Sequence, residues 1–334
     1  MQNLNRYFLA ILSCGLIIFS QSCKKDATPE EVIADNMATI RGVVYAADHS
    51  KTIPNAEVYT DVNGTHFSTK SLTDGSFALR VPAGSHTIHI RTGNGDIFHS
   101  EINLSVVAGQ VLQLDEDETE LLLEGNIAYI AGAWDYIENV ITALGYPVTE
   151  ITAADVADPT ILANYAGIFV NCGAEELYSA SDYANLAQYV TDGGSLYVSD
   201  FAVTYLIGNS GSSCPRPNGF VSDDVLCTDR VGTSTLAENA TLSASDLQAF
   251  LGIDEMDIYY DLGGWEKVLS VDETFWEVLI SHSTEGALLL RTNQFSNDDE
   301  GNQGNIYFTT FHNEAAGAIS PEVNGVLEFV VLNL

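Results

Sequence analysis

Between residues 38 and 115, apolar and polar positions alternate in short runs: Thr39–Ala46, Glu57–Thr60, His66–Thr69, Ser76–Val81, His86–Arg91, Ile97–Val106 and Val111–Leu114. A period of two sends successive side chains to opposite faces, which is the pattern of half-buried strands. Turn residues punctuate the runs at Ile53-Pro54-Asn55, Val62-Asn63-Gly64, Thr73-Asp74-Gly75, Pro82-Ala83-Gly84 and Gly93-Asn94-Gly95. In Asp74-Gly75 the glycine admits the positive φ that a tight hairpin requires. Short strands spaced this way predict an all-β sandwich over 38–115.

The pattern breaks at Asp115-Glu116-Asp117-Glu118-Thr119-Glu120, where five carboxylates in six residues repel one another. Residues 116–124 are therefore expected to form an extended acidic linker. From 125 to 334 the pattern changes to unbroken apolar runs separated by helical spacing. Asn126–Ala131, Pro147–Ile151, Ala166–Asn171 and Leu196–Ser199 read as buried strands, and Trp134–Leu144 as a helix stopped by Gly145. Ser179 offers an N-cap, with Asp182 three positions on. The helix it opens places Tyr183, Leu186, Ala187 and Val190 on one face and ends at Gly193-Gly194. Strands alternating with helices predict an α/β domain whose parallel sheet carries helices on both faces. Further on, Ser245–Leu251 and Val323–Leu332 read as helices, and Met256–Tyr260 and Ala287–Thr292 as strands. The whole is a multidomain chain, β-sandwich first and α/β second.

Two distant stretches organise the second part. Leu196-Tyr197-Val198-Ser199 runs into Asp200, and Ile306-Tyr307-Phe308-Thr309-Thr310-Phe311 runs into His312-Asn313-Glu314. Ligands and reactive groups collect at the carboxyl ends of strands in open α/β sheets. If the two runs are neighbouring parallel strands, Asp200, His312 and Glu314 meet at one crevice.

The first 37 residues stand apart. Arg6 precedes a mostly apolar run from Tyr7 to Phe19, followed by Ser20-Gln21-Ser22-Cys23-Lys24-Lys25-Asp26. The run is too short to span a bilayer and suits the apolar region of a signal peptide. A small residue before Cys23 and a charged tail after it resemble a bacterial lipoprotein signal. That resemblance implies a signal peptide over 1–22, a diacylated Cys23 at the mature N-terminus and a polar tether over 23–37. It also implies an exported, lipid-anchored protein at the outer membrane or cell surface. Ser20 departs from the leucine usual there. Leu12-Ser13-Cys14-Gly15 is a rival site that would leave Leu16–Phe19 exposed, and an ordinary secretory signal is the other reading.

Charge narrows the field of partners. Lys and Arg number 12 against 46 Asp and Glu, a net charge of −34. Residues 38–112 hold 6 acids and 5 bases, whereas 113–334 hold 36 acids and 4 bases. So acidic a surface repels phosphate backbones, which sets nucleic acid aside. The excess accounts for solubility without invoking a site. No complete calcium-loop spacing occurs, and Asn297-Asp298-Asp299-Glu300-Gly301 reads as a hairpin tip.

The order Ile40-Arg41-Gly42-Val43-Val44, Pro54-Asn55-Ala56-Glu57-Val58, Thr73-Asp74-Gly75-Ser76-Phe77, Val81-Pro82-Ala83-Gly84 resembles the carboxypeptidase regulatory-like family. The resemblance implies a transthyretin-like (prealbumin-like) sandwich that serves as stalk, spacer or binding module and is not itself catalytic. His66, His86, His89 and His99 are expected at the surface. His86 and His89, three apart on a strand, point to opposite faces rather than to one metal.

The second part resembles the flavodoxin-like class I glutamine-amidotransferase fold, in its branch near the trehalose-utilisation (ThuA-like) proteins. The resemblance rests on Ile127-Ala128-Tyr129-Ile130-Ala131-Gly132, Tyr165-Ala166-Gly167-Ile168-Phe169-Val170-Asn171-Cys172-Gly173, Gly193-Gly194-Ser195-Leu196 and the run Tyr307–Glu314. Active members carry a cysteine nucleophile on the turn after the fourth strand, flanked by glycines two residues away on each side. Here that seat holds Asp200, with Val198 and Ala202 in the glycine positions, while His312 and Glu314 match the family's His-x-Glu pair. A carboxylate is a far poorer nucleophile than a thiolate, so glutaminase activity is not expected.

Cys172 matches the family's glycine-rich oxyanion loop rather than its nucleophile. It reads either as a small buried cysteine or as a thiol beside His312, and Glu175 and Glu176 argue against its activation. Cys214 and Cys227 flank a Gly/Ser/Pro-rich stretch and are expected to pair as a disulfide outside the cytoplasm, zinc being the weaker alternative. That stretch follows Asp200 closely enough to lid the crevice. Arg216 is a candidate anion clamp, or pairs with a nearby Asp. Trp134, Trp265, Trp276 and Tyr259-Tyr260 could stack on sugar rings or belong to a core. The reading is an exported binding or scaffolding protein for a glycan or surface protein, with no cofactor. The alternative is a carbohydrate-directed or metal-dependent hydrolase using Asp200, His312 and Glu314.

Overall fold

The computed structural model describes residues 36–93, 97–209, 219–222, 224–295, 304–312 and 320–334. Cys23, Cys214, Arg216, Glu314 and the acidic tip 297–301 therefore lie outside the described residues. The described chain is mostly sheet, in four sheets with few helices.

The first 123 residues contribute β1 (Met37–Val43), β2 (Glu57–Val62), β3 (Thr65–Lys70), β4 (Ser76–Pro82), β5 (Gly84–Arg91), β6 (Phe98–Val106), β7 (Val111–Gln113) and β8 (Leu122–Leu123). Three strands form one sheet, in the order β4-β1-β7, and five form another, in the order β3-β2-β5-β6-β8. Alternation is plain in β4, where Phe77, Leu79 and Val81 are buried and Ala78 and Arg80 exposed. The inward sets of both sheets, with Ile40, Val58, Leu79, Ile88 and Ile90 among them, share one core.

Two expectations fail in this half. His86 is buried, with Nε2 at 2.7 Å from the Pro82 carbonyl, so it is not a surface histidine. It sits in the inward set of β5 and His89 in the outward set. The acidic stretch is not an extended linker either. Asp115 and Glu118 close a capping box around the 3-10 turn Glu116–Glu118, Leu121 is fully buried, and β8 pairs with β6. Reciprocal backbone hydrogen bonds satisfy two carboxylates there, which outweighs their mutual repulsion in water.

The largest sheet has nine strands: β9 (Ile127–Ile130), β10 (Thr149–Ile151), β11 (Gly167–Val170), β12 (Ser195–Ser199), β14 (Thr235–Leu242), β15 (Glu255–Tyr260), β17 (Glu277–His282), β18 (Gly286–Thr292) and β19 (Ile306–Thr309). Their order is β10-β9-β11-β12-β19-β18-β17-β14-β15. The first five run parallel, and β18, β17, β14 and β15 continue antiparallel, so the sheet is mixed rather than parallel throughout. A separate ribbon pairs β13 (Leu226–Asp229) with β16 (Lys267–Val271).

Every residue of β11, β12 and β19 is buried, because both faces of the sheet are covered. Ile168, Leu196, Ile306 and Phe308 face one core with Tyr183, Leu186 and Val190 of the helix Ala180–Thr191. Phe169, Tyr197 and Tyr307 face the other, with Val326, Leu327, Phe329 and Val330 of the closing helix Pro321–Asn333. Ser320 caps that helix by accepting from the Val323 N–H at 3.1 Å, with Pro321 in the first turn.

This second core is continuous with that of the sandwich. The Phe98 and Tyr146 rings pack tilted, centroids 4.7 Å apart, the Tyr146 hydroxyl donates to the Leu121 carbonyl at 3.0 Å, and Lys51 pairs with the buried Glu328.

Candidate functional site

β12 and β19 are parallel neighbours, with Ser199 opposite Thr309. The Tyr197 hydroxyl and Thr309 Oγ1 meet at 2.9 Å across the pair, and Thr309 Oγ1 donates to the Phe311 carbonyl at 2.6 Å. His312, three residues beyond the end of β19, reaches Asp200. β11 delivers a third group, Cys172. Its N–H donates to Ser199 Oγ at 3.0 Å, and Ser199 Oγ in turn bonds buried Asp135. Gly132 lets the loop after β9 close on the same place, since a Cβ there would lie 2.2 Å from the Cys172 carbonyl oxygen.

One ligand atom each from Cys172, Asp200 and His312 lies within 4.8 Å of the other two. Asp200 Oδ2 is 3.5 Å from Cys172 Sγ and 3.7 Å from His312 Nδ1. Asp200 opens the 3-10 turn Asp200–Val203 at φ 45°, the left-handed region that non-glycine residues enter at a cost of about 1–2 kcal/mol. The sharp turn at residue 200 is thus formed without glycines at 198 and 202, because Asp tolerates this region better than most residues.

The seat is closed. Asp200 is 3% exposed, and its Oδ1 accepts the Glu266 N–H at 2.6 Å. Glu266 enters β16 of the ribbon; its fully buried carboxylate accepts from Thr228 Oγ1 at 2.7 Å and from Arg230 Nε at 3.1 Å. The Arg230 guanidinium lies 4.3 Å over the Phe201 ring. Asp200 is therefore covered from Glu266 of the ribbon rather than from the 214–227 stretch expected to lid it, part of which lies outside the described residues. Among the described residues, Asp200 faces no open crevice, and only the edge of His312 reaches solvent.

Burial dominates the protonation chemistry. It pushes the Asp200 carboxyl up to about 8; the Glu266 N–H opposes this and the Glu266 charge adds to it. Burial also pulls His312 down to about 4 against the pull of Asp261, and raises the Cys172 thiol far above its ordinary value, with the Asp200 charge adding to the effect. The His312–Asp200 contact is close enough for an ion pair, yet each partner is shifted toward its neutral form. At neutral pH it is a meeting of two uncharged groups. Cys172 and Asp200 both hold their protons, so nucleophilic attack on an amide lacks its nucleophile; the neutral His312 imidazole is the base form, weakened by its burial.

The remaining predicted residues lie elsewhere. Cys227 is disulfide-bonded, while Cys214 falls outside the described residues. Trp276 is fully buried and Trp265 nearly so, the latter stacked on Tyr260 at 4.1 Å, so both are core residues; Trp134 and Tyr259 are exposed. Sequence reasoning missed Asp135, Glu266 and Arg230. Only the scarcity of cations beyond residue 112 could have singled out Arg230, and nothing local marks the other two. Two clefts lie away from the site: one of 780 Å³ runs along Val268–Val278, another of 420 Å³ lies between Pro159 and Gly194.

No family model matches the chain, and no curated protein matches it. Among solved structures, a "putative ThuA-like protein" from Bacteroides uniformis ATCC 8492 is 12% identical, with a TM-score of 0.40 over 61% of this chain and 88% of that one. A "putative carbohydrate binding protein" from the same organism is 14% identical, with a TM-score of 0.21 over 27% of this chain. This chain spans 44% of that protein, less than half its length. Likenesses this distant leave the function to be argued from the site.

Proposed function

We propose that this chain is an exported, lipid-anchored binding or scaffolding protein whose amidotransferase-like α/β half does not hydrolyse glutamine. The observation that carries the reading is the state of residue 200. A carboxyl takes the place of the reactive sulfur, sealed under the Glu266 N–H and held in its neutral form. A neutral carboxylic acid in a closed seat neither attacks an amide nor admits one. Cys172 does not replace it, because its thiol is buried and stabilised in the protonated form.

The sandwich then serves as a spacer between a membrane anchor at Cys23 and the sheet, and the partner is a glycan or a surface protein. The test is ammonia release from glutamine by the full chain, alongside a glycan array probed with the same preparation. Ammonia is expected at the buffer rate. Saturable release that disappears in both Asp200→Ala and Cys172→Ala would overturn the reading. Radiolabelled palmitate is expected in the wild type and not in Cys23→Ala; equal labelling removes the anchor.

A further inference from the structure

We propose that Cys172, Asp200 and His312 form a binding site for a divalent transition metal of the zinc class. The inference stands on the geometry of these side chains and does not require that the protein lack glutaminase activity. Each side chain comes from the carboxyl end of a different strand, β11, β12 or β19, and they supply one sulfur, one oxygen and one nitrogen. That donor mixture suits zinc, cobalt or nickel, and it excludes calcium and magnesium, which take oxygen ligands.

The spacing is that of a coordination shell. Zinc binds sulfur at about 2.3 Å and nitrogen or carboxylate oxygen at about 2.0–2.2 Å, in tetrahedral sites. Tetrahedral angles then set ligand–ligand edges of about 3.5 Å for sulfur to oxygen and about 3.3 Å for nitrogen to oxygen. The chain holds Cys172 Sγ at 3.5 Å and His312 Nδ1 at 3.7 Å from Asp200 Oδ2, and no pair of the three ligand atoms exceeds 4.8 Å. The two edges that meet at Asp200 Oδ2 already lie within about 0.4 Å of the tetrahedral values, and closing the third edge completes the shell.

The outer partners are those a metal site needs. Asp200 spends Oδ1 on the Glu266 N–H, which fixes the carboxylate plane and leaves Oδ2 toward the other two donors. The Cys172 backbone is pinned through Ser199 to Asp135. A thiolate and a carboxylate together neutralise a dication, so the loaded site carries no net buried charge. The His312 side chain retains 14% exposure, which provides the way in, and water fills the fourth position.

The experiment uses the full chain in detergent, stripped with chelator and kept free of reductant so that the Cys227 disulfide persists. Cobalt(II) is titrated as the probe, and zinc is then added in competition. The expected result is one cobalt per chain, with a thiolate-to-cobalt charge-transfer band and intense tetrahedral visible bands, both erased by equimolar zinc. Cys172→Ser should remove the charge-transfer band. His312→Ala should weaken binding by more than the roughly 10- to 100-fold that loss of an outer partner costs. If wild-type protein shows no charge-transfer band, or Cys172→Ser shows the same band, the proposal is wrong. Should a variant fail to fold, the wild-type spectrum alone decides.

Discussion

The roof over Asp200 depends on one buried carboxylate, and its energetics can be measured. Glu266 has no exposed surface, and Arg230 Nε reaches it at 3.1 Å while Thr228 Oγ1 donates at 2.7 Å. Breaking a buried ion pair from one side typically costs about 3–5 kcal/mol, because the other charge is left without its cation. Arg230 is 36% exposed and also lies 3.7 Å from Glu176, so solvent and a competing carboxylate screen the pair. With Thr228 still donating, Arg230→Met should cost about 2 kcal/mol, its aliphatic stem preserving the packing on Phe201. Glu266→Gln removes the charge and keeps a side-chain acceptor, at about 1 kcal/mol. The double variant should cost little more than Glu266→Gln alone, a coupling of about 2 kcal/mol. Urea unfolding of all four proteins at fixed pH closes the cycle. Additive single costs, or an Arg230→Met loss below about 0.5 kcal/mol, would show that the pair is a surface contact and that the roof is held by other forces.

In chelator-treated protein, folded Asp200 keeps its proton to about pH 8, whereas the unfolded chain loses it near 3.9. The folded state therefore binds the extra proton between those values, and wild-type stability falls by about 1.4 kcal/mol per pH unit across the window. Asp200→Asn does not titrate, so its advantage over wild type should grow by about 3 kcal/mol from pH 5 to pH 7; a pH-independent difference refutes the burial argument. Gly132→Ala would drive a Cβ to 2.2 Å from the Cys172 carbonyl oxygen and 2.7 Å from that of Asn171. It should destabilise by about 1–3 kcal/mol and speed alkylation of the Cys172 thiol; unchanged melting and thiol reactivity would contradict the packing. Tyr146→Ala, at the seam where its ring packs against Phe98, should cost about 3–5 kcal/mol. Amide exchange should then rise together in β6 and in the helix Ile137–Ala143; faster exchange in one alone would mean that the two halves do not share a core.

The strands of the sandwich were legible because alternation is local: each of the seven expected runs forms a strand within a few residues of its predicted ends. So were β9, β11 and β12 and the helix capped by Ser179, whose apolar runs and punctuation carry their own signal. In the antiparallel half of the large sheet β15 and β18 were legible too, but β14 and β17 were not. The runs at 235–242 and 277–282 are interrupted by polar residues, and only their pairing with β15 and β18 makes them strands. Even so, the neighbouring of β12 and β19, more than a hundred residues apart, was the condition on which the expected meeting of Asp200 and His312 rested, and the sheet meets it.

What the residues by themselves determined is therefore which segments are strands, where chemistry-bearing groups stand along them, and that residue 200 carries no sulfur. Tertiary structure decided which of those groups are wet. Whether a carboxyl is charged depends on the atoms that replace its water. For Asp200 those atoms come from Glu266, sixty-six residues away, in a ribbon that no local pattern announces. The same holds for His86, drawn inward by its strand, and for the acidic run at 115–120, ordered by its capping box. Sequence periodicity fixes a side chain's face; burial is a sum over distant neighbours, and only the folded chain performs it.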